Sequence, residues 1–201
     1  MERKVSEAER ERLFIALKLP FVLCEKLEKE RRVLSGKLNF AKWTHSEDYH
    51  ITLQFLGDTP KRSIPGLLEA LKEIPAACPS FQLQLSEWGI FGRPESPKVL
   101  WAGISGETQK LKDLQKRVIS VTRPLGFIPE TREFKPHLTL ARKYRDELPF
   151  SLEKLALLRA EEALEEEETD IADWTVDGFV VYATRMHAIP MYEMIEKFTF
   201  F

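Results

Sequence analysis

Tyr49-His50-Ile51-Thr52-Leu53-Gln54-Phe55 and Pro136-His137-Leu138-Thr139-Leu140-Ala141-Arg142 are the two stretches on which the reading of this 201-residue chain turns. Each contains a His-apolar-Thr-Leu run. Read as β-strands, both alternate with period two, so that side chains two apart share a face. In the first, His50, Thr52 and Gln54 should face one way and Ile51, Leu53 and Phe55 the other. In the second, His137 and Thr139 should oppose Leu138 and Leu140. An imidazole and a hydroxyl on the polar face of a strand, presented twice, make two copies of one half-site.

The surrounding chain repeats as well. Arg12 to Pro20 reads as a strand closed by proline. Residues 21 to 35 carry helical spacing through Leu23, Leu27, Val33 and Leu34, stopping near Gly36. A basic loop over 37–42 leads to the first His-Thr strand, followed by a helix near 63–74 and a strand over 81–85. After a loop over 91–97 the order restarts: a strand over 98–104, a helix over 107–121, the second His-Thr strand over 134–142, a helical run over 152–168, a strand over 174–184 and an amphipathic end over 192–201. This predicts an α+β protein built as a duplicated, two-lobed unit. Mainly antiparallel sheets would face a central cleft, with helices outside. The whole chain, 1–201, is expected to be one domain, with lobe 1 near 12–97, lobe 2 near 98–201, and strands free to exchange across that boundary.

Composition narrows the function. The chain is 43% hydrophobic and 31% charged, ordinary for a soluble globular protein. Cys24 and Cys78 have no zinc-type or redox spacing and are expected to be reduced thiols. The apolar run from Leu13 to Cys24 is broken by Lys18 and Pro20, too short for a membrane span, and the N-terminus lacks a signal-peptide pattern. A cytoplasmic protein without membrane contact is expected. The net charge of −2 argues against broad coating of nucleic acid. It conceals a segregation: residues 151–174 carry nine acids against Lys154 and Arg159, so the rest of the chain is positive and can attract an anionic substrate.

Two facing His-Thr pairs suit acid–base hydrolysis of a phosphodiester. With an ordinary pKa of about 6.5, one imidazole can stay neutral and take a proton from water while the other, protonated, serves a leaving oxygen. Each such group contributes roughly 10²–10⁴-fold. Threonine hydroxyls beside the rings can hold the anionic oxygens in line. No metal, cofactor or covalent nucleophile is required.

The residues resemble the 2H phosphoesterases, and within them the RNA 2′,3′-cyclic phosphodiesterase branch, also called 2′–5′ RNA ligase. The resemblance rests on Arg12-Leu13-Phe14-Ile15-Ala16, on His50 to Gly57, on Val99-Leu100-Trp101-Ala102-Gly103, on Pro136 to Arg142, and on Phe179 to Tyr182 with Tyr192. It covers roughly residues 12–201. Residues 1–11 and the acidic run 161–170 look like additions, Thr184 stands where Ser is expected, and Pro190-Met191 precede Tyr192 where Gly is usual. The resemblance implies hydrolysis of an RNA-terminal 2′,3′-cyclic phosphate to a 2′-phosphomonoester, with 2′–5′ joining as its reversal. It implies His50 as general acid, His137 as base, and Thr52 and Thr139 on the non-bridging oxygens, although a symmetric site could run either way. The expected partners are RNA 3′ ends or nucleotides bearing a 2′,3′-cyclic phosphate, and the expected state is a monomer.

Arg142, three residues after Thr139, matches a family arginine and is assigned to the phosphate or to a base. Phe14 shares a face with Lys18 and is a candidate for stacking on a nucleobase. Lys135 and Arg93 are loop cations that either guide the substrate or are merely solvated. His45 and His187 lack a threonine partner and read as structural, and Trp43, Trp88, Trp101 and Trp174 as core. The run Glu165 to Asp170 lacks the spacing of a calcium or magnesium loop. Three rivals stand beside the main reading: a cyclic phosphodiesterase for a small nucleotide, a non-catalytic RNA-end or nucleotide-binding module, and a zinc hydrolase, for which no HExxH pattern is present.

Overall fold

Strand β1 (Arg10–Lys18) shows how the sequence pattern becomes a sheet with two different faces. Leu13, Ile15 and Leu17 enter the main hydrophobic core, while Phe14 and Ala16 join Val180 and Tyr182 in a small separate cluster on the opposite face. The computed structural model describes residues 9–163 and 173–201. Within them the order continues as α1 (Phe21–Lys37), β2 (Phe40–Trp43), β3 (His50–Pro60), α2 (Ile64–Leu71), β4 (Phe81–Arg93), β5 (Ser96–Gly106), α3 (Thr108–Thr122), β6 (His137–Tyr144), α4 (Leu152–Ala163), β7 (Asp173–Val176), β8 (Gly178–Thr184) and β9 (Tyr192–Thr199). Helix α1 buries Leu23, Leu27 and Leu34, α2 buries Leu67 and Leu71, and α3 buries Leu111, Leu114 and Val118. These leucines lie on single helical stripes and meet the apolar face of the strands.

The strands form one antiparallel sheet in the order β7-β4-β5-β6-β3-β1-β8-β9, with β2 added to β6. Its centre is the junction of the two His-Thr strands, where Ile51 pairs with Leu138. On one side of that junction stand β1, β8 and β9; on the other, β5, β4 and β7. The expected boundary at 97/98 falls inside β5, which pairs along its length with β4, and the chain's last two strands return to pack beside its first. Strands therefore cross that boundary in both directions. Between β7 and β8 the chain passes from the β4 edge to the β1 side through Asp177 alone. Such a step is possible only because the sheet is curled into a half-barrel. Phe200 reaches both Phe81 and Phe179 across this gap.

Several sequence expectations are corrected. The presumed basic loop 37–42 contains β2, which is paired through Phe40, Lys42 and Trp43. The presumed loop 91–97 is mostly hairpin, with β4 running to Arg93 and β5 starting at Ser96. The single strand expected over 174–184 is two strands, β7 and β8, on opposite sides of the sheet. Residues 134–136 precede β6 rather than belong to it. The acidic stretch 164–170 and most of the charged leader, residues 1–8, lie outside the described residues.

The most informative correction concerns the faces of β3. Ile15 pairs with Gln54 but Ala16 pairs with Thr52, so Leu53 is an extra residue, a β-bulge. Alternation flips there. Gln54, 5% exposed, turns into the core and meets Thr122 Oγ1 at 2.8 Å, while Phe55 emerges 54% exposed on the face of His50 and Thr52. Strand β6 repeats the device. Leu100 pairs with Ala141 and Trp101 with Thr139, which leaves Leu140 as the extra residue. Ala141 is buried and Arg142 turns to the face of His137 and Thr139.

Candidate active site

Because β3 and β6 are antiparallel with Ile51 opposite Leu138, His50 lies across from Thr139 and Thr52 across from His137. Directly opposed side chains in such a pair start about 5 Å apart and diagonal ones about 7–8 Å apart, so the two rings and two hydroxyls bound one space. The pairs expected from sequence are thus brought together, each histidine beside the other strand's threonine. Burial and the nearby charge of His137 both act on His50, so the two rings share one electrostatic environment.

Both imidazoles are oriented alike. His50 Nδ1 lies 2.7 Å from the carbonyl oxygen of Asp48, and His137 Nδ1 lies 2.7 Å from that of Lys135. A carbonyl can only accept, so Nδ1 carries the proton in each ring and Nε2 is left as the working nitrogen. Aromatic walls fix the ring planes. Phe14 and Tyr192 stand 4.8 and 5.0 Å from His50, with Tyr182 behind at 6.2 Å. Phe91 and Trp101 stand 4.9 and 6.3 Å from His137.

These surroundings favour the neutral rings. Burial pushes His50 down to about 4, with Arg142 and His137 adding to the effect and the Asp48 carbonyl opposing it. Burial lowers His137 as well, reinforced by Arg142 and opposed by the Lys135 carbonyl and Glu130. An anion bound between the rings would oppose both shifts, since a nearby negative charge favours the imidazolium.

Asp48 does more than accept from His50. It is 6% exposed, and its carboxylate receives the backbone N–H of Met191 at Oδ2 and of Tyr192 at Oδ1, both at 2.9 Å. One residue therefore orients the catalytic candidate through its carbonyl and ties down the ring beside it through its side chain. Sequence reasoning missed it; its signal was an acid two residues before the histidine. Pro190-Met191, noted as a departure from the family pattern, form the segment that Asp48 holds.

The remaining candidates separate by position. Arg142 lines the small cavity around His50 and Thr139 together with Lys42, Thr44, Asp48, Met191 and Tyr192. Phe14 is 3% exposed, enclosed by His50, Tyr182 and Tyr192, with Phe55 at 6.1 Å. Its contacts brace His50, and the open ring beside it is Phe55. Lys135 lines the larger cleft that contains His137. Arg93 lines a separate depression with Ser96, Lys98, Lys143 and Tyr144. His45 caps the short turn over Ser46–Asp48, and His187 lies exposed beyond β8. Trp174 is core as expected, and Trp43 and Trp88 pack half-buried against the core, Trp88 under the Arg159 guanidinium at 4.1 Å, whereas Trp101 is half-buried and faces His137. Both cysteines are free thiols. Among the described residues no cluster of three or more His, Cys, Asp or Glu side chains could hold a metal ion, and no helix is long and apolar enough to cross a membrane.

Residues 21–187 match the model of the 2′-5′ RNA ligase superfamily. The chain is 35% identical over 189 residues to an RNA 2′,3′-cyclic phosphodiesterase of Geobacillus stearothermophilus, covering 94% of this chain and 57% of that protein. It is 30% identical to the protein of the same name from Aquifex aeolicus, over 78% of this chain and 80% of that one. The chain thus spans little more than half the length of the Geobacillus relative. Among solved structures, TT0787 of Thermus thermophilus superposes with a TM-score of 0.68 at 25% identity, covering 94% of this chain and 97% of that one. LigT of E. coli superposes with a TM-score of 0.70 at 22% identity, covering 96% and 98%. These likenesses agree with the curled antiparallel half-barrel described above.

Proposed function

The chain belongs to the 2′-5′ RNA ligase superfamily, and from that premise we propose that it hydrolyses an RNA-terminal 2′,3′-cyclic phosphate to a 2′-phosphomonoester by paired histidine acid–base catalysis. The observation that carries this reading is the β3–β6 register, in which each Nδ1-anchored imidazole faces the other strand's threonine. Several relatives bearing the name RNA 2′,3′-cyclic phosphodiesterase support the choice of substrate.

In this reading the phosphorus sits between the rings, with Thr52, Thr139 and Arg142 on its non-bridging oxygens. His137 Nε2 takes a proton as water attacks in line. The bond from phosphorus to the 3′-oxygen breaks, and His50 Nε2–H delivers its proton to that oxygen. The product is a 2′-phosphomonoester with a free 3′-hydroxyl, and solvent exchange resets the two rings. His50 acquires the proton it donates because the diester's negative charge, held in a site sheltered from water, stabilises the imidazolium that burial otherwise disfavours. With an RNA 5′-hydroxyl attacking the cyclic phosphate in place of water, and the same phosphorus to 3′-oxygen bond breaking, the same groups would form a 2′–5′ linkage as a side activity. Phe14 serves as a brace for His50 rather than as a platform for a base.

The test is to incubate the protein, with chelator, on an oligoribonucleotide ending in a 2′,3′-cyclic phosphate and to identify the product end. A 2′-phosphomonoester formed at undiminished rate supports the reading. A 3′-phosphate product, or activity abolished by the chelator, would contradict it.

A further inference from the structure

The two half-sites are built alike but end differently. After each His-x-Thr a leucine bulges out of register, Leu53 in β3 and Leu140 in β6, and in each strand the residue three beyond the threonine is thereby turned onto the catalytic face. In β6 that residue is Arg142, beside His50 and Thr139 in a cavity of about 70 Å³. In β3 it is Phe55, on a cleft of about 740 Å³ that begins at Thr52 and His137. The first space suits a phosphate group; the second is within the range of roughly 300–1,000 Å³ that holds organic ligands.

The lining of the larger cleft has the chemistry of a single-stranded nucleic acid site. Phe55 is an apolar ring left 54% exposed, and Phe91 presents a second ring. Lys98, Arg132 and Lys135 supply positive charge, against Glu130 and Glu133. Gln54 lies beneath, 5% exposed, with one end of its amide met by Thr122 and its Nε2 without a partner. The net charge of this lining is small, so its affinity must rest mainly on the rings. Base–aromatic stacking tolerates any sequence, because every base has a π-face.

We infer that this cleft is a subsite for the nucleotide preceding the reacting end, with its base stacked on Phe55, and that it makes oligoribonucleotides better substrates than cyclic mononucleotides. The inference rests on the catalytic reading above and adds to it a seat for the upstream base, on the cleft lined by Phe55 and Phe91. The bulge at Leu53 then has a purpose. It places a glutamine in the core in exchange for an aromatic platform at the site.

The experiment measures kcat/KM for 2′,3′-cyclic AMP and for a tri-adenylate ending in the same cyclic phosphate, with the wild type, Phe55→Ala and Phe55→Trp. The wild type should prefer the trinucleotide by about tenfold or more, Phe55→Ala should bring the ratio close to one, and Phe55→Trp should restore it. Phe55 is mostly exposed, so these variants should fold, and unchanged thermal melting would establish that they do. Equal kcat/KM for both substrates in the wild type, or a Phe55→Ala variant that keeps the preference, would overturn the subsite while leaving the catalytic reading intact. Turnover of neither substrate by the wild type would overturn both.

Discussion

Burial lowers the pKa of both His50 and His137 from the usual imidazole value, and this has a definite consequence for pH dependence. The proposed catalysis needs one ring protonated and the other neutral. In the free protein that combination is most populated between two depressed pKa values, so kcat/KM should be maximal on the acid side of about 6.5. With an anionic diester bound, both imidazoliums are stabilised, and the kcat profile should lie at higher pH. Coincident profiles would show that the rings do not both face the phosphate. Arg142 lowers both rings, so Arg142→Gln should move the kcat/KM optimum upward in pH while raising KM. The histidines and threonines were legible because period-two alternation and a repeated motif put them on one face. Asp48 was not, because its hold on Met191 and Tyr192 joins residues distant in sequence.

Strand irregularities and loop anchors position these side chains. Replacing Asp48 with alanine would leave the N–H groups of Met191 and Tyr192 unpaired, at a cost of about 1–3 kcal/mol for a buried unmet group. The Asp48→Ala melting temperature should therefore fall by several degrees, and kcat should fall with it as Tyr192 loses its place beside His50. Calorimetry and steady-state kinetics on the same variant check the pair. Gly89 is a second such position, since a Cβ there would lie 2.4 Å from the Trp101 ring. Gly89→Ala should displace that ring and with it the wall of His137. The expected result is a loss in kcat/KM of up to ~10²-fold, with a shift in tryptophan fluorescence. Helices and strands were largely readable from their spacing. The bulges at Leu53 and Leu140 were not, because an extra leucine in a strand leaves no mark in hydrophobic pattern. For that reason Gln54 and Phe55 were placed on each other's faces.

Across the whole molecule, one curled sheet unites what the sequence shows as two repeats, and the candidate site forms where its central strands meet. The doubling was visible in the order of elements. The exchange of strands between the halves was not, since pairing of β8 with β1 and of β4 with β7 depends on curvature that no local pattern encodes. The central claim is that imidazoles from both halves act on one phosphorus as a unit. Groups that act together lose their effect together, so removing the second costs little after the first. The decisive measurement is kcat/KM on an oligoribonucleotide ending in a 2′,3′-cyclic phosphate for His50→Ala, His137→Ala and the double variant, all shown to bind the RNA. Each single variant should lose at least ~10²-fold, and the double variant should be scarcely worse than either. Near-wild-type turnover by either single variant, or losses that multiply fully in the double, would contradict the account.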